Sequence, residues 1–216
     1  MTTQNKPTKN KSNKAWLNRH MTDHFVHLAQ KDGYRSRAAY KLLEIDDQVT
    51  LFHKNTEVVV DLGCAPGGWS QVVVNKMKEI NNHGLVIGLD MLDMAPIHNL
   101  HFIKGDFTTE EVLEELLNLL GNKKVDVLLS DMSPNLSGIK NVDQARGGYL
   151  IELAIDFAKS HLKPNGTMLI KAFQGSEFNN ILKLAKDTFK TVDVKKPKAS
   201  RDESSEVYLY SSSLKP

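Results

Sequence analysis

From residue 57 onward the chain alternates between two rhythms. Short aliphatic and β-branched runs at 57–62, 85–90, 100–104, 125–130 and 167–173 are nearly continuous in their apolar character, the pattern of strands buried on both faces of a parallel sheet. Between them, 68–80, 109–120, 144–162 and 177–189 place apolar residues at helical spacing. Thr108-x-x-Glu111 predicts a capping box for the second of these helices, and Ser176 stands before the last. Alternating strands and helices predict an α/β fold, a doubly wound, mostly parallel seven-stranded sheet. The final runs, 191–195 and 207–211, are joined by a short link with no helical pattern. They therefore predict an antiparallel pair, with the last strand reversed. Upstream, Trp16, Leu17, Phe25, Leu28 and Ala29 predict a helix over 16–30 closed by Gly33, and Ser36 is placed to cap another over 37–49. Residues 1–14 read as a disordered basic tail, and 15–216 as one domain with a helical extension over 15–50.

Composition narrows the class. The 216 residues are 40% hydrophobic and 25% charged, ordinary for a globular protein and too apolar for wholesale disorder. No apolar run approaches the ~20 residues of a membrane span, and the first twenty residues lack the apolar core of a secretory signal. A single cysteine, Cys64, excludes an internal disulfide and a cysteine-built zinc site, so the expected compartment is the cytoplasm. The net charge of +2 hides an asymmetry: residues 1–41 hold nine Lys/Arg against two Asp, a surplus of +7, and the remainder carries −5. A basic end on a mildly acidic body points to a polyanionic partner, although a solvated tail would look the same.

The densest chemistry lies in Asp61-Leu62-Gly63-Cys64-Ala65-Pro66-Gly67-Gly68-Trp69-Ser70, a buried strand running into a glycine-rich turn and a helix. Ligands of open α/β sheets bind at the carboxyl ends of strands, beside the topological switch point. The turn is neither G-x-G-x-x-G nor a P-loop. Asp90 ends the second strand, where an acidic residue typically takes ribose hydroxyls. Asp106 follows the third strand and is placed to accept from an adenine amino group. Each aspartate alone is more often a loop residue or a cap. Together they describe an adenosine without a phosphate, which suits S-adenosylmethionine better than a nicotinamide dinucleotide.

Asp131 ends the fourth strand in Ser130-Asp131-Met132-Ser133-Pro134-Asn135. Methyltransferases acting on base amino groups carry an aromatic residue where Asn135 stands, which points to another nucleophile, such as a hydroxyl. Lys171 ends the fifth strand. A lysine in an apolar strand is costly to bury, and an isolated one is usually snorkelling or paired. Facing the same crevice as Asp131, it becomes an acid/base candidate. Lys41 and Glu206 are unremarkable by spacing alone.

These motifs make the chain resemble the FtsJ/RrmJ family, bacterial heat-shock methyltransferases that modify ribose 2′-hydroxyls of large-subunit ribosomal RNA. The resemblance rests on Arg35-Ser36-Arg37-Ala38-Ala39-Tyr40-Lys41-Leu42, the glycine loop, Gly105-Asp106-Phe107, the loop at 131–138, Lys171-Ala172-Phe173-Gln174-Gly175, and Ser200-Arg201 through Glu206-Val207-Tyr208. It implies a Rossmann-like, class I S-adenosylmethionine-dependent fold. It also implies a catalytic tetrad of Lys41, Asp131, Lys171 and Glu206, and cofactor contacts at Gly67, Trp69, Asp90, Asp106 and Asp131. Lys171 would act as general base in its neutral form, which burial and the nearby Lys41 favour and the two carboxylates oppose. Glu203 is a second acidic candidate beside Glu206. No metal is expected: the chemistry needs none, and His20-x3-His24 lacks further ligands.

The implied substrate is a uridine of 23S ribosomal RNA in the large subunit, and the implied working form is a monomer. The RNA is expected along Arg35, Arg37 and Lys41, with Lys195, Lys196, Lys198 and Arg201 as a second basic cluster. Methylation of transfer RNA or of a messenger RNA cap is the nearest alternative. An assembly factor in which RNA binding dominates is the alternative from another class.

Overall fold

The computed structural model describes residues 23–80 and 83–216. Its elements in chain order are α1 (His24–Asp32), α2 (Ala38–Val49), β1 (Val58–Leu62), α3 (Gly68–Glu79), β2 (Leu85–Asp90), β3 (His101–Lys104), α4 (Glu110–Leu120), β4 (Val125–Ser130), α5 (Lys140–His161), β5 (Leu162–Phe173), α6 (Phe178–Thr188), β6 (Phe189–Lys195) and β7 (Glu206–Leu214). The strands form one seven-stranded sheet in the order β3-β2-β1-β4-β5-β7-β6. The pairs from β3 to β5 are parallel, whereas β7 runs antiparallel to both β5 and β6, as the short link before it requires. The chain winds one way from β1 to β3 and the other from β4 onward, which puts the switch point between β1 and β4.

Alternation along the strands sorts side chains into two layers. Val58, Val60 and Leu62 of β1, with Met168 and Ile170 of β5, pack against α4, α5 and α6. Val59, Val127, Leu169 and Tyr208 face the other way, onto Ala39, Leu42 and Ile45 of α2 and Trp69, Val72 and Val73 of α3. By the same parity Asp131, Lys171 and Glu206 share the side covered by α2 and α3. Alternation thus determines which helix can reach them.

Several local expectations are corrected. Arg37, not Ser36, stands at the start of α2, without a side-chain cap. The Thr108–Glu111 box does not form: α4 starts after Thr109 with no side-chain cap, because Thr108 gives its amide and hydroxyl to Asp106 Oδ1 at 2.9 and 2.8 Å. Ser176 likewise donates to Gln144 Oε1 rather than capping α6. Helix α5 starts four residues earlier than expected. Asp143 in its first turn accepts from the amides of Ser137 and Gly138 and tethers the preceding loop. Strand β5 starts at Leu162, which pairs with Val125, and its register shifts before Thr167 meets Val127. The turn-forming Pro164-Asn165-Gly166 in between hid this start. Helix α1 ends at Gly33 as expected, while residues 1–14 and the start of the first predicted helix lie outside the described residues. Among the described residues no helix is long and apolar enough to cross a membrane.

Candidate active site

The switch point opens into a cavity of about 390 Å³ lined by the ends of β1, β2, β3 and β4. Gly63, the first residue past β1, has φ +73°, and a Cβ there would lie 2.7 Å from the Met132 backbone. Only glycine allows the two loops to come so close. Its amide and that of Cys64 donate to Leu89 O, which fastens the turn to β2. Gly67, at the head of α3, has φ +106°, and its open face is covered by Ile97 and Arg35.

Asp90, Asp106 and Asp131 all line this cavity, together with Asn135, Met91 and Leu92. Asp90 Oδ2 accepts from the Ala65 amide at 2.9 Å and its Oδ1 from the Leu92 amide at 2.8 Å, so its carboxylate is fixed before any ligand arrives. Among the described residues no lysine or arginine lines the cavity. Trp69, expected at the cofactor, is 2% exposed. Its indole donates to Ala38 O at 2.8 Å and packs against Tyr208, so the side chain braces α2 and is absent from the lining of this cavity. Gly67 also lies behind the lining. Gly63, which does line it, was not among the expected contacts. Its place directly after the strand is the signal that could have found it.

Asp131 also borders a second cavity of about 450 Å³, which reaches Lys41 and Glu206. Its amide continues the β1–β4 ladder by donating to Leu62 O. Lys171, 8% exposed, donates to Asp131 O at 2.6 Å and lies 3.0 Å from Asp131 Oδ1. Lys41, on α2, meets Glu206 Oε1 at 2.7 Å, and the Ser200 hydroxyl donates to the same oxygen at 2.9 Å. Burial pushes the Glu206 carboxyl up, but Lys41, Ser200 and Lys171 together hold it below its ordinary range. Glu203 lines the second cavity, but the ion pair of Lys41 is with Glu206.

The four expected residues thus form two ion pairs, and a fifth group, Tyr208, lies between them. Tyr208 sits opposite Lys171 in the β5–β7 register, donates to Asp131 Oδ1 at 3.3 Å, and has Lys41 Nζ 5.8 Å from its ring centre. Burial first, then the Asp131 and Glu206 carboxylates, push its phenol well above the usual range, so it stays a donor. Its spacing of two from Glu206, on the same strand face, is the signal for it.

A model of the FtsJ-like methyltransferases matches residues 34–213, a span that contains every residue of both cavities. The chain belongs to the FtsJ-like methyltransferase family. Two proteins called ribosomal RNA large subunit methyltransferase E are similar along almost their whole length. That of Herminiimonas arsenicoxydans is 54% identical over 210 residues, covering 96% of this chain and 98% of the relative. That of Dechloromonas aromatica is 52% identical over 205 residues, covering 95% and 98%. A crystal structure from Plasmodium falciparum, described as a ribosomal RNA methyltransferase, superposes with a TM-score of 0.73 at 34% identity, covering 84% of this chain and 98% of that one.

In this FtsJ-like chain several basic residues expected to meet RNA are engaged internally. Arg37 pairs with Asp23 and donates to Ala199 O, and Arg201 lies 3.4 Å from Asp23. Lys196 donates to Ser204 O and Glu206 O at 2.5 and 2.7 Å. Arg35 is spent on main-chain carbonyls. Lys198 is exposed.

Proposed function

We propose that the chain transfers a methyl group from S-adenosylmethionine to the ribose 2′-hydroxyl of a uridine in 23S ribosomal RNA of the large subunit, as a cytoplasmic monomer. On this reading residues 15–216 act as one catalytic domain. The observation that carries it is the position of Asp131, which borders both a cation-free, three-aspartate cavity and a Lys–Asp–Lys–Glu cluster.

The first cavity fits the cofactor. Gly63 lets the glycine turn close onto the Met132 backbone at the edge of the cavity, where any Cβ would clash. Fixed carboxylates at Asp90 and Asp106 suit ribose hydroxyls and an adenine amino group, and the exposed Met91 and Leu92 offer apolar cover for a base. Three carboxylates without a lysine or arginine favour a sulfonium cation and disfavour a pyrophosphate. The bound cofactor supplies an electrophilic methyl carbon.

The chain's own residues then hold the hydroxyl in line and manage its proton. Lys171, pinned by the carbonyl and carboxylate of Asp131, presents Nζ to the hydroxyl and, when neutral, accepts its proton as the new bond forms. Glu206 holds the Lys41 ammonium in place, and Tyr208 fixes the Asp131 carboxylate. Beyond Lys171 a groove of about 580 Å³, bordered by Phe173, Pro134 and Leu136, gives the nucleotide an approach to the site.

The test is transfer of label from S-adenosylmethionine to separated ribosomal subunits, free ribosomal RNA and transfer RNA, with the modified nucleotide mapped. A 2′-O-methyl ribose in large-subunit RNA is expected. A methylated base, or label confined to transfer RNA, would overturn the proposal.

A further inference from the structure

Arg35 stands in the basic stretch before α2, where sequence reasoning placed an RNA phosphate. Its guanidinium points elsewhere. Nη1 donates to Pro66 O at 3.3 Å and Ala95 O at 2.5 Å, and Nη2 donates to Pro96 O at 2.8 Å. Its backbone amide donates to Gln71 Oε1 at 2.7 Å, and Gln71 returns a bond to Gly33 O. The base of the side chain is therefore anchored to α3.

The three carbonyls belong to two segments, each of which sends other residues, Gly63 and Ala65 from one and Met91 and Leu92 from the other, into the lining of the cofactor cavity. Pro66 lies in the glycine turn after β1, and Ala95 and Pro96 lie in the segment 91–97 that follows Asp90. That segment has no regular secondary structure. Near its start, Asp90 takes the Leu92 amide. Further along, the Lys104–Asp93 pair is largely exposed, and such a pair contributes little. The guanidinium has five donors in a rigid fork and no acceptor, so its two terminal nitrogens reach carbonyls of separate loops at once, where a lysine offers a single nitrogen. Its stem also lies across the open face of Gly67, beside Ile97, closing the gap between the turn and the segment.

We infer that Arg35 is a positioning residue for the cofactor: it ties segment 91–97 to the glycine turn and so holds Asp90, Met91 and Leu92 in their binding geometry, and it is not a phosphate ligand. The inference rests on the reading of the 390 Å³ cavity as the S-adenosylmethionine site.

The experiment is calorimetric titration of the full chain with S-adenosylhomocysteine for the wild type, Arg35→Ala and Arg35→Lys, with hydrogen exchange followed across 91–97. Affinity for a large-subunit ribosomal RNA transcript is measured at several salt concentrations in parallel. Arg35→Ala is expected to bind S-adenosylhomocysteine about tenfold more weakly and to exchange faster at 91–97, with the core strands β1 and β5 unchanged. Arg35→Lys should fall in between, and the salt dependence of RNA binding should match the wild type. S-adenosylhomocysteine affinity within about twofold of the wild type overturns the inference, and an RNA salt slope reduced by about 0.9 identifies Arg35 as a phosphate ligand instead. A wild type that does not bind S-adenosylhomocysteine at all overturns the reading of the cavity itself, an outcome distinct from either variant's.

Discussion

Lys171 and Asp90 sit on opposite sides of Asp131 and separate two jobs. Lys171→Ala removes the group held 2.6 Å from Asp131 O but leaves the hydrogen bonds of Asp90 and Asp106 in the aspartate-lined cavity in place. Turnover should fall by at least ~100-fold, with S-adenosylhomocysteine affinity within a few-fold of the wild type. Asp90→Ala should do the reverse, weakening the cofactor while restoring much of the turnover at saturating concentration. Calorimetry beside single-turnover kinetics separates the two. Asp61 presents a different case. It is fully buried, accepts the Ser70 hydroxyl at 2.6 Å on Oδ2, and leaves Oδ1 without a partner among the described residues. Burial pushes its pKa up to about 7. A carboxyl raised in the folded state binds more protons folded than unfolded, so its ionisation destabilises the fold as pH rises from the ordinary carboxylate range to about 7. The melting temperature of Asp61→Asn relative to the wild type should therefore rise between pH 5 and pH 8. A constant cost of the amide cancels in that difference, and a flat difference would show that Asp61 does not titrate there. The residues alone flagged Asp131, Lys171, Asp90 and Asp106, because each stands at or close to the carboxyl end of a strand. Lys41 and Glu206 emerged only through the family resemblance, since nothing local distinguishes a helix lysine or a loop-edge glutamate.

At the scale of elements, the strands and helices were legible because a doubly wound sheet buries its strands on both faces and its helices on one. The link between β6 and β7 was not. It crosses to α2, where Glu44 accepts from the amides of Lys198 and Ala199 at 2.6 and 3.0 Å. The turn so held presents Ser200, whose hydroxyl meets Glu206. No pattern in the chain connects residues so far apart in sequence. Glu44→Ala should release this turn and with it the Lys41–Glu206 pair. A displacement on the ångström scale is expected to lower kcat by roughly 10- to 100-fold, with cofactor affinity unchanged. Glu44→Gln, which can accept through one oxygen, should restore part of the rate. An unaltered kcat in Glu44→Ala would mean that the pair is held without the turn.

The charge of the whole molecule decides where RNA is gripped. The +7 balance of residues 1–41 suggested that the basic stretch around Arg35 and Arg37 carries the contact, but both guanidiniums are bonded within the fold, as is the Lys196 ammonium, and Arg201 lies 3.4 Å from Asp23. A side chain already bonded to carbonyls and carboxylates must break those bonds to reach a phosphate, and that cost reduces its contribution. The remaining basic groups close to the site include Lys195, 3.8 Å from the exposed Asp193, and Lys198, whose side chain is exposed at the rim of the β6–β7 link. Residues 1–14 hold four further lysines, in a polar composition of the kind for which binding generally carries a cost in ordering entropy. Each phosphate contact removed lowers the slope of log affinity against log salt by about 0.9 on duplex and about 0.7 on single strands. The pair Lys195→Ala with Lys198→Ala is therefore expected to flatten that slope by up to about 1.8 and to leave S-adenosylhomocysteine binding intact. Deleting residues 1–14 should change the slope by less, although it removes twice as many charges. Titration of both variants with large ribosomal subunits at several salt concentrations decides between the two routes. A greater loss on deletion would put the RNA path along the amino-terminal segment and leave the β6–β7 link with its structural task of holding Glu206.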